Sequence, residues 1–265
     1  ERCHGPAERH VDYHRNFQRD STAVPADADP IVNPGALTPA LRESVCNQCH
    51  LLGVERILRY GKHETDFRPG NPLSSVWTIF RKEGAGTHED QSPDAVNQVR
   101  QMEVSKCFER SNGRLGCVSC HDPHFQPKPE ARIDFFRNKC LNCHQAPNTK
   151  CSLRETERLQ QSSADSCIAC HMPARPAADV QHTSQTDHRV LKNPASMPFK
   201  DQASSGHDQY QLVDDGGNVP EWEIARARAI LMSRRATEVK SPALATLATE
   251  SLEALSSRGL KDSIA

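Results

Sequence analysis

Aromatic side chains are scarce in this chain: Phe, Trp and Tyr make up 5% of its 265 residues, and all hydrophobic types together reach 36%. So polar a chain stays disordered, is crosslinked, or folds around apolar mass that it does not encode, because its own side chains struggle to offset the entropy of ordering. An excess of charge of one sign is missing too. The 33 Lys and Arg stand against 34 Asp and Glu, which removes the electrostatic case for nucleic acid or anionic lipid as a partner. No run approaches the length of a transmembrane helix, so no membrane span is expected in these residues. The opening Glu1-Arg2-Cys3-His4 resembles neither an initiating methionine nor a signal peptide. The expectation is a shortened N-terminus, with any export signal lying upstream.

What is present in quantity is cysteine. Eight of the 11 cysteines fall in pairs two residues apart, and a histidine follows the second member of every pair. The pentapeptides are Cys46-Asn47-Gln48-Cys49-His50, Cys117-Val118-Ser119-Cys120-His121, Cys140-Leu141-Asn142-Cys143-His144 and Cys167-Ile168-Ala169-Cys170-His171. Chance supplies roughly 0.02 such pentapeptides in a chain of this composition, so four identify the attachment signature of c-type haem. Two thiols one helical turn apart reach both vinyl groups of one porphyrin, and the adjacent imidazole reaches the iron. A zinc site has no reason to demand histidine after every second cysteine, and a thioredoxin-like redox pair would be a single motif in an α/β frame.

Cys3-His4 reads as the end of a fifth motif whose first cysteine precedes residue 1. The predicted cofactor-binding residues are therefore Cys3, Cys46, Cys49, Cys117, Cys120, Cys140, Cys143, Cys167 and Cys170. His4, His50, His121, His144 and His171 are the predicted proximal ligands of iron. Cys107 and Cys151 remain. An oxidising compartment favours joining them, which adds roughly 4 kcal/mol in the chain-entropy model, but spacing alone does not establish the bond.

The motifs start at residues 46, 117, 140 and 167, so three of them occupy only 55 residues, from Cys117 to His171. A segment that short cannot wrap each porphyrin separately, and neighbouring macrocycles are expected to pack together. Short helices should carry the motifs, with loops such as 126–130 between them. A helix is predicted from about Asp94 to Phe108, with Val96, Val99 and Met102 inward. No segment alternates well enough to predict a substantial sheet. Residues 193–218, with Pro, Ser and Gly, read as a linker or loop. Beyond Pro220 a helix is expected to about Arg235, with Trp222, Ala225, Ala229 and Met232 on one face. Another should start near Pro242, with Leu244, Leu247, Ala248, Leu252 and Leu255 aligned. The fold class expected is mainly α with extensive loops: a haem domain over residues 1–192, a linker over 193–218, and an α-solenoid-like helical segment over 219–265.

Eight histidines stand outside the motifs: His10, His14, His63, His88, His124, His182, His188 and His207. His124 follows a motif through Asp122-Pro123, and the proline turn directs it away from its own haem. His182 and His188 flank Asp187, which is suited to accept a ligand's other ring proton. His10 lies just after the shortened motif. These four are the candidate distal ligands. Methionine ligation is disfavoured, since the chain has four methionines and Met172 directly follows His171, so low potentials are expected.

Cys3-His4-Gly5-Pro6 with His10, Cys107 through the Cys117 motif to His124, the Cys167 motif with Met172-Pro173, and residues 182–189 together resemble a known group. It is the multihaem cytochromes c associated with tetratricopeptide repeats. Their wider superfamily holds the nitrifiers' tetrahaem cytochrome and the octahaem nitrogen and sulfur oxidoreductases. The resemblance implies that His10, His124, His182 and His188 serve as axial ligands to other haems, and that helical repeats follow the haem domain. It also fits an exported, periplasmic location.

Two chemistries follow. In an electron-transfer module every iron has two axial ligands and electrons pass to a redox protein partner. In an oxidoreductase for a small nitrogen or sulfur compound one iron keeps an open site. No lysine replaces a proximal histidine, and the Cys46 motif, near Tyr60 and His63, is the place with no evident short-range ligand. The C-terminal helices would suit docking of a protein partner with either chemistry.

Overall fold

A computed structural model describes residues 1–17, 29–51, 54–82, 98–146, 150–162, 164–176, 184–192 and 209–257. Among them helices dominate and short strands and loops connect them, so the chain is mainly α. Packing divides it into two compact units, one of residues 1–48, 54–83 and 208–265, the other of residues 49–53 and 84–207. Strands from residues 54–82 pair with residues 210–212 and support the C-terminal helices.

In the first unit α1 (Glu8–Phe17) and α2 (Pro39–His50) precede a three-stranded antiparallel sheet. β1 (Val54–Leu58) pairs with β2 (Trp77–Lys82), and β2 with β5 (Tyr210–Leu212), which makes β2 central. No alternating signal marks this sheet, because Trp77, Thr78, Ile79 and Phe80 are all buried. A strand covered on both faces shows a continuous run and no period of two. Ile57 and Phe80 pack against Ala227, Ile230 and Leu231 of α9 (Glu221–Glu238). Trp77 meets Phe67 with ring centroids 6.3 Å apart. Of the predicted linker, residues 193–208 lie outside the described residues, and Tyr210–Leu212 is strand, not loop.

The two C-terminal helices form where Pro220 and Pro242 placed them. Pro220 precedes α9, and Ser241 caps α10 (Pro242–Ser256) by accepting from Leu244 N. The predicted face of α9 holds in part: Ala229 is buried and Met232 half-buried, but Trp222 and Ala225 are exposed, and Glu223, Arg226, Ala227, Ile230, Leu231 and Ala236 are buried as well. Glu223, 3% exposed, accepts from Arg59 Nε at 3.3 Å and Tyr60 N at 3.2 Å. Arg226, 2% exposed, donates to Leu58 O at 2.7 Å. Hydropathy assigns such charges to the outside, yet here they anchor α9 to the end of β1. Ala225, Ala229 and Met232 line a groove of about 410 Å³ with Ser251, Ala254 and Leu255.

The second unit holds α3 (Gln98–Glu103), α4 (Lys106–Arg110), α5 (Cys117–Cys120), α6 (Arg132–Leu141), α7 (Glu155–Gln161) and α8 (Cys167–His171). A ribbon of β3 (Ala174–Pro176) and β4 (Ser184–Thr186) follows. The single helix predicted to Phe108 is two helices, because Ser105 caps α4 by accepting from Phe108 N at 3.2 Å. Val99 is buried and Met102 half-buried as expected, while Val96 lies outside the described residues. This unit has little apolar interior. Among its described residues only Leu51, Val99 and Leu191 are buried hydrophobics, and Phe125 is 55% exposed.

Candidate functional site

Helical turns carry the complete motifs, as predicted. Cys46 to His50 is the last turn of α2, Cys117 to Cys120 is α5, and Cys167 to His171 is α8. Cys140 lies in the last turn of α6, and the turn continues through His144, whose N–H donates to Cys140 O at 3.0 Å. In each, one turn separates the two sulfurs. The end of α2 is secured by Arg56, which donates to Gln48 O at 2.7 Å and Asn47 O at 3.2 Å. A guanidinium there also complements the negative pole of the helix. Cys3 and His4 lie in a turn that Gly5 closes with φ 79°, its N–H donating to Glu1 O at 2.8 Å.

The thiols of the three closely spaced motifs influence one another. Cys140 and Cys167 share a hydrogen bond that lowers the Cys167 thiol to about 6 and pushes Cys140 up. Burial raises Cys107 and Cys120, with each also feeling the charge of Cys143. Cys107 and Cys151 are both free thiols. Thiolate is the reactive form, so iodoacetamide at pH 7 is expected to label Cys167 well before Cys140 in the reduced chain without cofactor. Peptide mass mapping over time measures this, and equal labelling would remove the shared-proton account.

Asp165 fixes the approach of α6 to the turn that enters α8. Its carboxylate accepts from Arg137 Nη2 at 2.7 Å and from Arg158 Nε at 2.7 Å. Its φ of 48° is a left-handed conformation that Asp tolerates better than most residues. The hydrogen bond from Arg158, with that from Arg137, holds the carboxyl down at about 2. The folded value lies below the unfolded one of about 4, so this stabilisation is complete above that pH and disappears as pH falls through about 2. Asp165→Asn is expected to cost roughly 1 kcal/mol at pH 7, since the cluster is partly open to solvent, and nothing near pH 2. Urea unfolding at the two pH values checks it.

The histidines show a common arrangement. Nδ1 lies 2.9 Å from Val32 O in His4, 2.7 Å from Leu191 O in His171, 2.7 Å from Thr186 O in His188, and 2.6 Å from Asp29 Oδ1 in His10. A carbonyl or carboxylate oxygen can only accept, so in a neutral ring Nδ1 carries the proton and Nε2 keeps its lone pair. That is the tautomer a metal requires, with an oriented ring. His14 is the reverse case: its Nε2 lies 2.9 Å from Asp29 Oδ2. The Asp29 carboxylate is thereby engaged by two imidazoles and orients His10.

His121, from an attachment motif, lies opposite His188, with ring centroids 6.4 Å apart and planes 25° from parallel. Two imidazoles on one iron, with bonds of about 2 Å, have centroids about 6.3 Å apart, a separation that this stacked pair matches. Desolvation lowers both pKa values, and mutual charge lowers His121 further, which keeps the lone pairs available at neutral pH. The acceptor for the His188 ring is Thr186 O, not the expected Asp187, whose carboxylate is bound to Arg189. His124 is 75% exposed beside Asp122, in a turn that Asp122 Oδ1 closes by accepting from His124 N at 2.9 Å. His63 opens a short turn by donating its N–H to Asp66 Oδ2. His182, His88 and His207 lie outside the described residues.

Comparison with protein-family models, curated proteins and solved structures finds no match for this chain. Sequence reasoning missed the residues that hold the histidines. Backbone carbonyls of Val32, Thr186 and Leu191 leave no trace in side-chain identity, and Asp29 and Gln101 sit far in sequence from the histidines they serve.

Proposed function

We propose that the chain is an electron-transfer module that carries haem c at its four complete motifs. The observation that supports this most directly is the His121–His188 pair, 6.4 Å apart. Bound haem supplies reversible one-electron chemistry at iron. The chain's part is to anchor and to tune. Paired cysteines on one helical turn would hold the group, and the motif histidines would ligate its iron. His188, with His10, His124 and His182 as further candidates, would be the other ligand. Acceptors at Nδ1 orient the rings of His4, His10, His171 and His188 and raise their basicity, which with two histidines per iron favours low potentials.

The scarcity of buried hydrophobics among the described residues of the second unit supports the same reading, since large apolar macrocycles would supply a core. Redox proteins in an exported compartment, such as a periplasm, are the partners proposed. The groove between α9 and α10 suits these helices to begin a tetratricopeptide-like solenoid that docks a protein partner. Expression in a host able to attach haem tests the proposal, by mass and by electron paramagnetic resonance. One covalent haem per complete motif and uniformly low-spin ferric iron are expected. One high-spin centre in the parent protein would select the oxidoreductase reading, and a colourless product of bare-chain mass would end both.

A further inference from the structure

We propose that residues 187–191 form a single clamp that sets an axial ligand on each of two haems, with Arg189 as its positioning residue. The inference rests on the haem reading above. His188 pairs with His121, whereas His171 belongs to the Cys167 motif, so their irons are different. Yet one short segment holds both rings. His188 donates its N–H to the buried Gln101 Oε1 at 2.8 Å and its Nδ1–H to Thr186 O. Three residues on, Leu191 donates its N–H to His171 O at 2.9 Å, and Leu191 O accepts from His171 Nδ1 at 2.7 Å. Asp187 N–H donates to Pro173 O at 3.0 Å, tying the segment to the residues just after His171.

The same segment carries a buried ion pair. Asp187 is 1% exposed and Arg189 5%. Asp187 Oδ1 accepts from Arg189 N at 2.9 Å and Nε at 3.0 Å, while Oδ2 accepts from Nη2 at 2.5 Å. Carboxylate and guanidinium two positions apart thus wind the chain tightly around His188. Val190 takes the strain of this winding, with φ 49°. A β-branched residue rarely adopts that conformation and keeps it only where its surroundings over-determine the backbone. Moving Arg189 therefore moves His188 on one side and Leu191 O on the other. An acceptor on Nδ1 makes imidazole the stronger donor to ferric iron, so loss of the Leu191 contact raises that haem's potential.

The test is a redox titration of the haem-loaded chain followed by electron paramagnetic resonance. In Arg189→Gln one low-spin ferric signal should become high-spin, and a second should stay low-spin while its midpoint moves to more positive potential. Arg189→Lys should restore neither fully, because an ammonium cannot reproduce the forked contact. Val190→Gly removes the strain and no hydrogen bond, so it folds at least as well as the parent and is informative should the Arg189 variants not fold. It should broaden or shift the same two signals. A response confined to one haem, or absent from all, overturns the clamp while leaving the haem reading intact. Absence of haem from the parent defeats the haem reading first.

Discussion

Glu223→Ala is expected to remove about 3–5 kcal/mol from the stability of the first unit, the size observed when one partner of a buried ion pair is deleted. The carboxylate lies at 3% exposure between Arg59, the Tyr60 N–H and Arg226, the last at 3.8 Å. Truncation leaves two guanidinium groups near a donor N–H with the shared acceptor gone. Domains of this kind have about 5–15 kcal/mol in total, so much of the unit's stability is at stake. Glu223→Gln keeps an acceptor and should cost less, about 1–3 kcal/mol. Urea unfolding followed by circular dichroism measures both. A loss below about 1 kcal/mol for the alanine variant would mean that apolar contacts around Ala227 and Ile230 hold α9 without the charges.

His188→Ala should have the largest spectroscopic effect. On the haem reading it takes the sixth ligand from the iron of the Cys117 motif, so that one centre becomes high-spin and its potential rises. Added imidazole should return it to low spin. His14→Ala is the control: the His14 ring is engaged with Asp29 through Nε2, and its loss should leave every spin state unchanged. If His188→Ala kept all centres low-spin, the 6.4 Å separation from His121 would be side-chain packing and another histidine would hold that iron.

Much of the helical framework was legible because its signals are local. A prolyl residue at the start of a helix and a serine cap mark α10 by themselves, and each attachment motif brings its own turn. The sheet was not legible, since β2 shows no alternation and its partner β5 lies inside a stretch that reads as linker. The inner face of α9 was misread in part for a related reason: Trp222 signalled burial and Glu223 and Arg226 exposure, whereas an ion pair with Arg59 reverses the order. At the candidate site the proposed ligand residues were readable as residue types. The His188 ring takes Thr186 O rather than Asp187, whose carboxylate binds Arg189; a buried carboxylate prefers a guanidinium to a neutral ring, and only the fold reveals that Arg189 is within reach.

The strand order has a bearing on biosynthesis. β2 is complete at Lys82, but the strand and helix that cover it come from residues 210–212 and 221–238. At ribosomal speeds of about 5–20 residues per second, Trp77 to Phe80 wait roughly 7–30 s for their cover. During that interval a hydrophobic strand with an open edge is available to any other nascent chain. Shielding by a holdase, or slow release at high expression, is therefore expected to decide the yield of this protein more than its final stability does.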